Sequence, residues 1–429
     1  MALKDPVALW LGLLWFRLSA AVYFGFGSMV HIFFNDESTK QAQSYFYVLP
    51  EHLFKLNLIV ILCVICVLVT ARVLASIFKQ SAEPVVTEDG DRLLFICCVA
   101  FGILGYGFKY MIYIPYAFGF FGNVVIPAIF IQIALLAPVS LFLLTLWSIR
   151  HAQRFLGLAV LLLCMDLLTG CLLLAKAEVL KPLIVFLLAF LQHKTTRIRL
   201  AAAAVAVLLC FQTLVPMAVA GRSAILLRTG ALGEGDFNIR SEIISDYFLG
   251  NLSAENYAES QSGLMRIAYA SASVPAIVMY DHGRPGTSIE RAPIILYPRM
   301  LWPDKPILDS GVRYNILVNG QAGSASWMGL FAEAYWNFGW PGIPLLMVPL
   351  GAAFFIIGRM SIQIMKNRKW LHFVIVLLGM YMGIRTDGLL VDEMLVTLIM
   401  VSVFYVAATV AEGLLKPLLQ GRQRPAFPR

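Results

Sequence analysis

Ten apolar runs, all but a short sixth near the length a helix needs to cross a bilayer, dominate this chain. They fall at about 7–30, 54–78, 92–112, 124–148, 155–174, 179–192, 198–219, 341–358, 370–386 and 393–415. A crossing helix takes about 20 mostly apolar residues, because the hydrocarbon core is about 30 Å thick and a helix rises about 1.5 Å per residue. Of the 429 residues, 60% are apolar and 14% are charged. A soluble domain holds about 45–50% and about 25%. A soluble globule is excluded for want of polar surface, and a disordered chain needs low hydrophobicity and high charge. The pattern predicts an all-α polytopic membrane protein with about ten transmembrane helices. The first run is too long for a signal-peptide core and is read as the first span.

The net charge of +8 does not point to nucleic acid, because Lys and Arg cluster in short segments between apolar runs. Fifteen lie in one alternate set of segments, from Lys4 to Arg429, against five in the short segments of the other set: Lys40, Lys55, Lys176, Lys181 and Arg385. Cytoplasmic segments carry the excess of cations. Both termini are therefore expected in the cytoplasm, and 220–340 outside it. Three regions follow: a membrane domain over 1–219 with spans 1–7, a large extracytoplasmic (periplasmic) loop over 220–340, and spans 8–10 with a basic cytoplasmic tail over 341–429. All seven cysteines sit inside apolar runs and are read as small core- or lipid-facing residues. No Cys/His pattern suggests a metal; His31, His52 and His282 stand singly.

The 121-residue loop is too long and too rich in Tyr, Trp, Pro and Arg to be a linker, and long loops tend to carry function. Within it, residues 264–280 are expected to form a helix lying against the membrane or tucked between spans. Tyr297-Pro298-Arg299-Met300-Leu301-Trp302-Pro303-Asp304-Lys305-Pro306 is held extended by three prolines. Its Arg299 and Lys305 suit capture of a phosphate head group; a proline-rich surface turn with solvated charges is the plainer alternative. Arg222, Arg228, Arg240, Arg266, Arg284, Arg291 and Arg313 add to the cationic content, either for an anionic ligand or for ion pairs with the loop's own acids. Glu333 and Asn337, four apart, are expected to share a helix face, with Tyr335 among the interfacial aromatics. A general base at Glu333 needs burial to raise its pKa towards neutral; the alternative is an ion pair with a loop Arg. Arg385 and Asp387, at the end of the ninth run, form either a structural ion pair or half of an active site. Arg17 and Asp166 are charges inside spans. Asp89-Gly90-Asp91 lacks the Rossmann-like context of a nucleotide-sugar site, and Asp36 and Glu37 fit a solvated loop.

Arg266, Gly286, Pro298-Arg299, Trp302-Pro303-Asp304-Lys305-Pro306, and Glu333 with Asn337-Phe338-Gly339 together resemble the Wzy-type polymerases, which build O-antigen and exopolysaccharide from repeat units in bacteria. Arg385-Thr386-Asp387 resembles an Arg-Gly-Asp-like element of a late outer loop in that family, with Thr386 in place of Gly. The likeness covers about 240–345 and 383–388; over the first seven spans it rests on hydropathy and topology. It implies a GT-C-like membrane glycosyltransferase in the bacterial inner membrane. Such an enzyme would transfer a growing glycan from undecaprenyl diphosphate onto the next lipid-linked repeat unit, without nucleotide sugar, ATP or another cofactor. It also implies a chain-length co-polymerase and a flippase as partners, beside the membrane lipid and the undecaprenyl-diphosphate-linked oligosaccharide. On this reading Glu333 and Asp387 are candidate bases, and Arg299 and Arg385 stabilise the leaving diphosphate. Arg222, Arg266, Lys305, Arg313, Trp302, Tyr335 and Asn337 bind substrate. An O-antigen ligase would use the same donor, but that family typically places a catalytic His in the large loop, where this chain has only His282. A transporter or flippase would show charges in mid-span, and Asp166 keeps that alternative open.

Overall fold

The computed structural model describes residues 5–34, 37–78, 90–122, 126, 128–151, 153–229, 236–251, 268–297, 302, 304–306, 310–320 and 325–420. Regular structure among them is helical throughout. In chain order the main helices are α1 (Gly12–Phe33), α2 (Pro50–Ile77), α3 (Asp91–Ala117), α4 (Leu136–His151), α5 (Gln153–Leu172), α6 (Lys176–His193), α7 (Arg197–Thr229), α8 (Phe237–Leu249), α9 (Ala270–Asp281), α10 (Ser310–Asn319), α11 (Leu330–Phe338), α12 (Gly342–Lys366), α13 (Trp370–Ile384) and α14 (Leu390–Leu415). Seven of them, α1, α2, α3, α5, α7, α12 and α14, are long and apolar enough to cross a membrane. The protein is therefore a membrane-embedded helical bundle. Helices α4 and α13 are apolar but shorter, and α6 carries Lys176, Glu178 and Lys181 in its first turns.

The long helices show the two faces that lipid demands. Helix α2 buries Leu56, Ile59, Cys63 and Val67, while Ile61, Ile65, Val69 and Val73 are exposed. Those outward positions would be a solubility fault in water and are the expected surface in hydrocarbon. Cys63, Cys97, Cys98, Cys171 and Cys210 are buried and Cys164 is exposed, all as free thiols.

Two features depart from the sequence pattern. The seventh helix does not end at 219 but runs on to Thr229. Its extension is packed: Ala224 and Ile225 are buried with Ile243 of α8, and Gly221 fits beneath Leu174. The boundary between membrane domain and loop thus falls inside a helix. Asp166 is also not a lone mid-span charge. Lys109 of α3, which the hydropathy pattern hides, lies 2.7 Å from it, and the Tyr106 hydroxyl donates to it at 3.2 Å. A buried charge is tolerated when paired and hydrogen-bonded, so the ground for a transporter reading is a structural pair. The Arg17 side chain is exposed on α1, free to extend towards an interface.

The loop does not simply cap the bundle. Helix α9 buries every residue from Ala270 to Ile277, and α11 every residue from Leu330 to Asn337. Phe331 packs edge-on against Phe16 and Phe24 of α1, with ring centroids 5.7 and 5.0 Å apart. A helix apolar on all sides has to be enclosed, and α9 and α11 enclose each other among α1, α2 and α12.

Candidate functional site

Helix α13 stops well short of its neighbour α1. The two approach at glycines: a Cβ on Gly12 or Gly383 would overlap the other helix's backbone, the small-residue contact that lets membrane helices close. Ser19 Oγ donates to the Gly383 carbonyl at 2.7 Å, and Thr386 Oγ1 donates to Ser19 Oγ at 3.0 Å. Beyond Ser19, α1 continues to Phe33, roughly 20 Å at a helical rise of about 1.5 Å per residue. Arg385-Thr386-Asp387 is therefore sunk within the bundle, and α9 and α11 fill the space above it. The Leu330 amide donates to the Thr386 carbonyl at 3.1 Å, which joins α11 to this segment.

Arg385 and Asp387 are drawn together, but not alone. Arg385 is ion-paired with Glu393 and lies 3.6 Å from Asp387. Asp387 is 3.8 Å from Lys176, whose ammonium donates to the Tyr269 hydroxyl at 2.5 Å. Lys181 pairs with Glu178 at 3.0 Å. Three cations here face three carboxylates, so the cluster is neutral and has little left to offer an anion.

A second group of charges lies on the other side of the 385–393 segment, with Arg291 faced by Asp392 and Glu290. A cavity of about 230 Å³ opens there, lined by Ser288, Arg291, Ser310, Arg313, Trp336 and Leu389, among others. Neither guanidinium forms an ion pair or hydrogen bond with a described residue. Burial and the neighbouring Arg313 pull Arg291 below its ordinary pKa, against the opposing pull of Asp392 and Glu290. A dianion placed between the two would relieve that repulsion.

Glu333 lies beside this cavity. It is fully buried; one oxygen accepts from the Leu390 amide and the other has no hydrogen bond among the described residues. Burial pushes its carboxyl up to about 7, against the opposing pull of the Ser288 hydroxyl and the Leu390 amide. Asn337, one turn on, donates to Ser288 Oγ and to the Glu333 carbonyl, both at 2.8 Å. The i, i+4 relation therefore fixes Ser288, a cavity-lining residue, next to the carboxyl. The Gly286 amide donates to the Trp336 carbonyl at 2.8 Å, and a Cβ on Gly286 would meet the indole ring at 2.5 Å. Gly339 ends α11 at φ +63°, against Tyr280. Gly286, Glu333, Asn337 and Gly339 thus belong to one construction.

The remaining candidates are dispersed. Arg222 donates to the Leu174 carbonyl at 2.7 Å, and Arg240 reaches Leu172 and Leu173; both satisfy the free carbonyls past the end of α5. Tyr335 donates to Asp281 at 2.9 Å, with the Lys55 ammonium 4.8 Å from its ring centroid. Lys305 donates to the Tyr297 carbonyl at 2.9 Å, and Trp302 is exposed. Arg266, Pro298, Arg299, Pro303, Asp36 and Asp89 lie outside the described residues. Asp91 sits 3.3–3.7 Å from His151, Arg368 and Arg150 in an ion cluster. Among the described residues no group of three or more His, Cys, Asp or Glu is arranged to hold a metal. Site residues beyond the sequence candidates are Ser288, Ser310 and Asp392 around the cavity, and Lys176, Tyr269 and Glu393 in the neutral cluster. Arg291, one of many loop arginines in the sequence, is singled out by its place on the cavity wall. Comparison with protein families, with curated proteins and with solved structures returns no match.

Proposed function

We propose that this protein is a membrane glycosyltransferase that joins polyprenyl-diphosphate-linked glycan repeat units, a polysaccharide polymerase acting at the outer face of a bacterial inner membrane. The observation that carries this reading is the buried Glu333, with its carboxyl near 7, across Ser288 from a cavity lined by Arg291 and Arg313. In the proposed reaction an acceptor hydroxyl oxygen bonds to the donor's anomeric carbon. The bond from that carbon to the diphosphate oxygen breaks, and its electron pair leaves with the lipid diphosphate. Glu333 takes the hydroxyl proton; a base works best with a pKa near the working pH. Arg291 and Arg313 stand where negative charge develops on the leaving group. The role that the family resemblance implied for Arg385 passes to them on this reading, because Arg385 is already neutralised by Glu393 and Asp387. Arg385 and Asp387 instead hold the 385–393 segment that carries the Leu390 amide to Glu333.

The test is incubation of the purified protein in nanodiscs with a single lipid-diphosphate repeat unit, followed by gel analysis. A ladder of products supports the polymerase. Transfer only to a different added acceptor favours a ligase, and intact substrate moved across a vesicle favours a transporter. Arg291→Ala and Arg313→Ala are each expected to lower kcat/KM by about 10²–10³, the usual cost of removing one donor to a developing anion. Unchanged rates in both variants would remove the cavity from the mechanism.

A further inference from the structure

Two carboxyl groups stand beside the cavity lined by Ser288, Arg291, Ser310 and Arg313, and the reaction proposed above uses only one of them. Glu333 accepts from the Leu390 amide. Leu390 opens a π-helical turn, Leu390–Leu395, at the start of α14, and Asp392 lies two residues into it. Two residues span at most about 7 Å and a hydrogen bond adds about 3 Å, which puts the Asp392 backbone within about 10 Å of the Glu333 carboxyl. Each carboxyl has one buried oxygen that makes no hydrogen bond among the described residues, Glu333 Oε1 and Asp392 Oδ2. Wide turns of this kind often mark functional sites.

The pair is not symmetrical. The half-buried Asp392 is hydrogen-bonded by the Ser310 hydroxyl and faced by Arg291, which has Arg313 and Glu290 beside it. The next residue, Glu393, is committed to Arg385. The fully buried Glu333 is met by the Ser288 hydroxyl, the Leu390 amide and the charge of Asp392. Two carboxylates this close do not both ionise without cost. The charge settles first on the one with a cation and a hydroxyl against it, and the proton stays on the other.

We propose that Asp392 is the positioning residue of Glu333: its carboxylate, seated against Arg291 and Ser310, repels charge on Glu333 and makes it the stronger base. This inference rests on the proposed function for the role of Glu333 and adds a residue that acts through it. One proton passes from the acceptor hydroxyl oxygen to Glu333, and Asp392 keeps its charge throughout. Without that charge Glu333 ionises at lower pH and is a weaker base.

The experiment titrates the full-length protein in nanodiscs by infrared difference spectroscopy. It follows the C=O band of a protonated carboxyl, assigned to Glu333 by its loss in Glu333→Gln. Asp392→Asn keeps the size of the side chain and an oxygen for the Ser310 hydroxyl. It is expected to move the midpoint of that band, and the rising limb of the turnover profile, about one pH unit lower, the worth of one charge at about 10 Å in a protein. Asp392→Ser, neutral and smaller, should act in the same direction. Asp392→Glu restores the charge and should return both midpoints towards those of the wild type. A band midpoint unmoved in both neutral variants would overturn the inference whatever their turnover, because a lower rate alone is what a structural role produces. An equal downward shift in Asp392→Glu would overturn it too. The band is read without substrate, so a shifted midpoint in a protein that makes no polymer would defeat the proposed function alone. Polymer formation with an unmoved midpoint in the neutral variants would defeat the pairing alone.

Discussion

At the scale of the residue, Glu333 concentrates the physics of the site. Its neutral form is the one the fold prefers, since burial penalises the charge and the nearby Asp392 repels it. The folded-state pKa, near 7, is above the ordinary value of 4.5. Stability from this group is therefore complete below about pH 4.5 and lost as pH rises through about 7, a total of about 3 kcal/mol. Activity has the opposite sign, because the base works only when ionised. Turnover by the wild type should rise through pH 7 and level off above it. Glu333→Gln should lose about 10²–10⁴ in rate and the pH dependence with it, while its Tm exceeds the wild type's at pH 8 and not at pH 5. Thermal melts at the two pH values, run beside a rate profile, check both halves. A variant less stable than wild type at pH 8 would contradict the burial argument. The helix face shared by Glu333 and Asn337 was legible from their spacing. The pairing of Asp166 with Lys109 was not, because the two lie on different helices and hydropathy averages a single lysine away.

At the scale of the element, the contact between α1 and α13 decides where the chemistry sits. Gly12 and Gly383 let the two helices touch at the backbone, and Ser19 and Thr386 fasten the end of α13 about a third of the way along α1. Gly383→Ala should force them apart. The expected cost is about 1–3 kcal/mol, the range for overpacking a close-packed contact, with loss of the Ser19 hydrogen bond and displacement of the 385–393 segment. A lower Tm in detergent together with reduced activity would bear this out; an unchanged melt would mean that the helices tolerate separation. Glycines in apolar runs are common, so nothing in the sequence distinguished these from Gly25, whose Cβ would meet open space. The course of α7 past 219 was likewise hidden, because an amphipathic extension packed on α8 reads as loop to a search for apolar runs.

At the scale of the whole molecule, the charge bias of the short segments predicts a topology with both termini on one side and the large loop on the other. Single-cysteine labelling in intact cells tests it. Trp302→Cys should react with a membrane-impermeant thiol reagent, and Lys369→Cys only after permeabilisation. The reverse pattern would put the proposed donor site on the wrong side of the membrane. The sequence by itself determined that this is a membrane-embedded helical bundle and roughly where its long apolar helices lie, because burial in hydrocarbon is a local property summed along about 20 residues. It also marked Gly286, Glu333, Asn337 and Gly339, which the fold brings together. Only the tertiary structure decided which cations are available to an anion. Coulomb pairing acts over a few ångströms between residues far apart in the chain: Arg385 is neutralised by carboxylates packed around it, and Arg291 and Arg313, on separate elements, are left facing a shared cavity.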